Sequence, residues 1–302
     1  MTATHRLPSC RSDEARTGHR PCCEWPTQAV AVLGVDFSSA PTRRKPITVA
    51  HARRIGAGTL KLESLEAVES LAAFVSLLAR PGPWIGGFDF PFGLPRELVL
   101  EAGWPTDWPS LVRQFSGTPR PMLREQLRAF CAKRPAGSKF AHRATDRPAG
   151  SSPSMKWVNP PVAWMFHAGS PALLAAGVHL PGLHEGDPSR VALEAYPGLL
   201  ARAIHRGSYK SDDPARQDDQ RLRARQAMVR ALIAGDHPLQ LTLALSRGLQ
   251  RQIEEEPRGD WLDAVLCAVQ AGWALGQGVR YGLPAQIDPL EGWIVSAPLA
   301  TG

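Results

Sequence analysis

Two short apolar runs, AVAVLGVD at 29–36 and WIGGFD at 84–89, each end on an aspartate followed at once by turn-forming text, FSSAPT after the first and FPFGLP after the second. Runs of this length, rich in β-branched and small residues and closed by turn formers, predict buried central strands. Ligands of an open sheet bind just outside the carboxyl ends of its strands, so Asp36 and Asp89 converge there if the two strands are neighbours. A chain carrying both must fold so that two carboxylates at one sheet end are either turn formers or a working pair.

The remaining text fits an α/β chain. KPITVAHARR and GTLKLES read as two strands of a meander, separated by Gly56-Ala57-Gly58. Leu65, Val68, Leu71, Ala72, Val75 and Leu78 recur at three and four, which predicts an amphipathic helix over 65–78, stopped by Arg80-Pro81-Gly82. From about 104 to 181 the text turns Pro-rich and basic, with helical pieces at 120–132 and 162–176 around PAGSKFAHRATDRPAGSSPSMKW, and reads as an insertion. A strand at 191–195 then enters a helix at Pro197, a residue suited to a first helical turn. Helices are predicted over 214–234, 238–252 and 260–276, with GWIVSA a strand or a packed tail. The expectation is one domain over 28–296, preceded by an aperiodic, disordered leader over 1–27.

No run of about 18 apolar residues and no secretory signal is present, which predicts a cytoplasmic chain without a membrane span. The five cysteines are irregularly spaced, which argues against a disulfide framework. The Cys10, His19, Cys22 and Cys23 group lacks zinc-finger spacing, and Cys267 sits in an apolar helix as packing. The net charge of +7 favours anionic partners, and its distribution sharpens the point: residues 113–156 hold ten Lys or Arg against Glu125 and Asp146. That segment is either a solvated face or a phosphate-binding surface.

Three further acids complete a candidate set. Glu194 stands at the end of the 191–195 strand, and Asp260 and Asp263 share one face at the start of a helix. Singly, these acids have ordinary roles in turns and helix caps. Together, five carboxylates repel one another unless cations neutralise them, and hard oxygen donors select Mg2+ or Mn2+. Two such ions about 4 Å apart can clamp the attacking and leaving oxygens of a phosphodiester.

GVDFSSA, FDFPFGLP, LEAYP, Tyr209-Lys210, DWLDAVLCAVQAG and EGWI, in this order over about 32–295, resemble the motifs of the domain of unknown function 429 family. That family is described as predicted nucleases of ribonuclease H-like fold. The resemblance implies a mixed β-sheet flanked by helices, from which the basic helical and loop insertion departs, having no counterpart in minimal ribonuclease H. It also implies that Asp36, Asp89 and Asp263, with Asp260, are catalytic metal ligands, and that Glu194, in a Glu-x-x-Pro motif, is a further ligand or an orienter. No histidine stands beside the closing acids as a proton shuttle.

Lys210, in GSYKSDD, is a candidate to contact a scissile phosphate or to hold Glu194, and Arg143, Arg147 and Lys156 are candidate substrate contacts on a mobile loop. Trp157, Trp164 and Phe166 read as core rather than as base-stacking residues. The expected function is metal-dependent phosphodiester hydrolysis on nucleic acid or another phosphorylated anion. Two alternatives are a non-catalytic nucleic-acid-binding protein of the same fold and an ATPase or kinase relative of the actin-like group, although FSSAPT lacks the glycines of a phosphate loop.

Overall fold

The computed structural model describes residues 30–299. The predicted leader and the Cys10, His19, Cys22 and Cys23 group therefore lie outside the described residues. Strands β1 (Ala31–Asp36), β2 (Ile47–Ile55) and β3 (Thr59–Val68) form the meander, followed by α1 (Leu71–Leu78) and β4 (Trp84–Asp89). Then come α2 (Arg96–Glu101), α3 (Trp108–Gly117), α4 (Arg120–Ala132), α5 (Asp146–Ala149), α6 (Val162–Ala176), β5 (Val178–His179), β6 (Asp187–Glu194) and α7 (Pro197–Ile204). The chain continues through α8 (Asp219–Ala234), β7 (Thr242–Ala244), α9 (Arg247–Glu255) and α10 (Asp260–Leu275). The strands make one mixed sheet in the order β5-β6-β4-β1-β2-β3-β7, antiparallel at β1/β2 and β2/β3 and parallel elsewhere.

Three helix boundaries differ from the sequence expectation, each for a physical reason. Residues 65–68 extend β3, where Val68 lies opposite Ile47, so sheet pairing outweighs the helical spacing, and α1 begins only after Ser70, whose side chain caps Ala73 N. In place of a helix from 238, the stretch LQLTLAL at 239–245 alternates leucine every second residue, the strand period, and β7 pairs there with β3. The helix expected from 214 is a short 3-10 turn at Pro214–Arg216, and α8 starts later behind the Asp218 cap. GWIVSA adds a single parallel bridge, Ile294 to Glu194. Among the described residues no helix is long and apolar enough to cross a membrane.

Both sheet faces are covered. On one, Leu33, Val35 and Phe88 pack with α1, α3, α4 and α6, so the basic 104–181 stretch contributes an apolar layer. Trp164 and Phe166 are part of it. On the other face, Val32, Ile85, Val191 and Leu193 pack against α7, α8 and α10. Helix α10 lies directly on strands β1 and β4 because both present glycine beneath it. A Cβ on Gly34 would stand 2.0 Å from Ala264 O, and one on Gly87 would stand 2.5 Å from Cys267 O. Gly34→Ala is therefore expected to lift the helix and cost about 3 kcal/mol or more, read as a lowered urea midpoint. An unchanged midpoint would contradict this packing.

Candidate active site

Side chains alternate across a strand, so residues two apart share a face. Val32 and Gly34 face α10, and Asp36 follows them; Ile85 and Gly87 face α10, and Asp89 follows them. Asp36 and Asp89 are directly opposite each other across the parallel β1/β4 pair. The glycines that seat α10 thus also fix where the two carboxylates emerge relative to the start of that helix.

Helix α10 begins at Asp260 behind Gly259, whose φ of 75° suits glycine. Gly259 also lets the 209–210 loop approach, since a Cβ there would meet Lys210 Cβ at 2.8 Å. Tyr209 donates its hydroxyl to Asp263 Oδ1 at 2.5 Å, and the Lys210 ammonium donates to Asp263 Oδ2. Asp263 itself is fully buried.

Asp260, also buried, receives less support. Its backbone N–H donates to Glu256 Oε2 at 2.8 Å, and its carbonyl accepts from the Thr48 hydroxyl at 2.9 Å. Its Oδ2 lies 3.4 Å from Arg258 Nε but accepts no hydrogen bond from a described residue. Glu256 and Arg258 carried no sequence signal beyond lying just before a predicted helix.

The charges do not balance. Burial raises Asp36 well above its usual 3.8, and repulsion from Asp263 and Asp89 adds to it, with Lys210 opposing. Burial, then Asp263, pushes Asp89 up to about 7. Burial, then Glu256, moves Asp260 to about 6. Partial desolvation disfavours the Lys210 ammonium, whose side chain is 44% exposed, but Asp263 more than offsets this and holds it above the ordinary value. One ammonium faces three aspartates, and no hydrogen bond from a described residue reaches the carboxylate of Asp36 or Asp89. Among the described residues, no three of His, Cys, Asp or Glu already stand in an arrangement that holds a metal ion.

Glu194 stands apart from this group. It lies opposite Phe88, whose side chain belongs to the other face of the sheet. Its oxygens are already engaged: Oε1 accepts from Arg143 Nη2 at 2.6 Å, and Oε2 accepts from Arg143 Nη1 at 2.7 Å and from Phe92 N at 2.8 Å. Arg143, expected on a mobile substrate loop, is buried and also binds Asp146 Oδ1 and the Glu291 carbonyl. The two groups meet at a cavity of about 180 Å3 whose wall includes Asp89, Glu194, Arg143, Ser152, Met165 and Tyr196.

A family profile described as protein of unknown function (DUF429) matches residues 34–287, which takes in Asp36, Asp89, Glu194, Lys210, Asp260 and Asp263. The chain belongs to this DUF429 family. No curated protein and no solved structure matches the chain. The DUF429 match also spans the other candidate contacts, Arg147 and Lys156. Arg147 is exposed, and Lys156 lines a different cavity from the one at Asp89. Lys210 contacts Asp263 and not Glu194.

The raised aspartates give a pH signature. A folded chain that binds a proton more tightly than the unfolded one gains stability that is full below the unfolded value and is lost as pH rises through the folded value. In EDTA, the wild type is expected to lose stability relative to Asp89→Asn as pH rises from 3.8 to about 7. Urea unfolding of the two proteins across that range measures it, and a constant difference would remove the buried-carboxylate account.

Proposed function

We propose that this chain is a divalent-metal-dependent phosphodiester hydrolase of ribonuclease H-like fold. The fold reading is supported by the order β3-β2-β1-β4-β6 with β2 antiparallel. The observation that carries the activity is the opposed pair Asp36 and Asp89, free of hydrogen bonds from described residues and facing Asp263 at the start of α10.

The donor set fits a hard divalent cation: the oxygens are carboxylate, their charge exceeds that of the single ammonium beside them, and two of the three acids accept no hydrogen bond from a described residue. Asp36, Asp89 and Asp263 would hold it, with Asp260, whose charge also acts on Asp36, beside them, and Mg2+ or Mn2+ would supply activation of water and neutralisation of phosphate charge. The Lys210 ammonium, which neutralises part of the cluster, is positioned to take up a phosphate oxygen once it leaves Asp263. Tyr209 keeps the Asp263 carboxylate oriented. Glu194 supports the floor of the cavity through Arg143.

A second reading, a nucleic-acid-binding protein without catalysis, is favoured by the engagement of Asp263 with Lys210 and Tyr209. Hydrolysis of an unstructured oligonucleotide by the purified chain, in Mg2+ or Mn2+ and in EDTA, separates the two. Binding without cleavage supports the second reading, and cleavage that persists in EDTA or in Asp36→Asn overturns the first.

A further inference from the structure

A second cavity, of about 300 Å3, is lined by Lys139, Phe140, His142, Pro153 and Lys156. It shares a wall with the cavity at Asp89. His142 and Pro153 line the second cavity, and their chain neighbours Arg143 and Ser152 line the first. Neighbouring Cα atoms are about 3.8 Å apart, so at these two points only a single thickness of chain separates them.

The two cavities differ in charge. Asp89 and Glu194 line the first together with Arg143, which offsets Glu194, and no acid lines the second. Three other cations of the basic segment are committed: Lys133 pairs with Glu101, Arg134 with Glu97, and Arg143 with Glu194 and Asp146. The side chains of Lys139, His142 and Lys156 have no hydrogen bond or ion pair with a described residue. Two ammonium groups and the His142 ring thus line one hollow, and the only acid among the described residues acting on them is Asp146, through its field on His142, whose pKa burial lowers. Lys139 and His142 are exposed and Lys156 is half-buried, so the hollow is open to an anion from solvent.

We propose that this hollow is an anion site that takes a phosphate group. Lysine ammoniums bind phosphate as point charges, and the His142 ring adds an N–H donor. The hollow has room beyond a single phosphate, and the Phe140 ring in its wall offers a stacking face to a base attached to that phosphate. On the phosphodiester reading of the carboxylate centre, which this second step rests on, the site holds a neighbouring phosphate of the same strand.

The test is calorimetric titration with inorganic phosphate in EDTA at low salt, with the His142 ring protons followed by NMR. Saturable binding is expected, with movement of the His142 signals and a loss of at least tenfold in affinity in the Lys139→Ala/Lys156→Ala double variant. The structure gives neither lysine side chain a partner, so circular dichroism should show the variant folded. Phosphate that fails to saturate, or binds the double variant equally well, overturns the site. A single-stranded oligonucleotide gives the second arm: weaker binding and a shallower salt dependence in the double variant place a strand phosphate there. If only inorganic phosphate binding is lost, the hollow is a free-phosphate site and the strand assignment falls. Because the titration is run without divalent metal, a failure of cleavage leaves this result standing.

Discussion

Replacing Asp36 by Asn is expected to move stability and cation response in opposite directions. Asp36 is half-buried beside Asp89 and Asp263, and desolvation and repulsion both raise its pKa. Asparagine keeps the shape and removes the charge, so in EDTA near pH 8 the variant should be at least as stable as the wild type, with a gain of about 1 kcal/mol. Mn2+ should stabilise the wild type by about 2.7 kcal/mol at a hundredfold excess over its dissociation constant, and the variant should lose most of that shift. Hydrolysis should fall on the order of a thousandfold, the consequence of losing several kcal/mol of metal-derived transition-state stabilisation. Thermal unfolding with and without Mn2+ and single-turnover cleavage read these quantities. A variant that is destabilised in EDTA, or one that keeps the Mn2+ shift, would show that Asp36 serves the fold alone.

The strand-end placement of Asp36 and Asp89 is legible in the sequence because strand length, strand ending and turn text are all local, whereas their opposition depends on β1 and β4 being neighbours, which only the sheet pairing fixes. The reason for Gly34 and Gly87 was not legible, since it lies in α10, more than two hundred residues away along the chain for Gly34. Its strand-end position in the sequence groups Glu194 with the aspartates. Its face depends on parity, and parity is fixed only by the partner strand, which sets it opposite Phe88. LQLTLAL carried the strand period openly, yet the helical text that follows it masked a short edge strand. Arg143 was the least legible residue. Its surroundings, rich in Gly, Ser and basic residues, resemble an exposed loop, and two distant acceptors, on β6 and at Glu291, together with nearby Asp146, draw it inside.

Those acceptors make Arg143→Met the most damaging single change expected outside the aspartates. Met fits the aliphatic volume but leaves Glu194 and Asp146 buried without a counter-charge, and breaking a buried ion pair in this way costs about 3–5 kcal/mol. For a chain of this size, that lowers the melting temperature by roughly 10 °C. The loss should shrink on acidification, because protonating the stranded carboxylates removes the uncompensated charge. Glu194→Gln in the same background should recover part of it: the amide oxygen still accepts from Phe92 N, and one buried charge is gone. The double variant should therefore be more stable than the sum of the two single losses, a coupling that a double-mutant cycle measures. Additive losses would mean that the pair contributes no more than bulk packing. The same guanidinium ties the end of β6 to the 137–156 segment and to Glu291, which in turn accepts from Ala144 N and Arg96 N. A destabilised Arg143→Met should therefore also lose phosphate affinity in the second hollow, although it touches neither lysine, because the wall carrying His142 and Lys156 is no longer held.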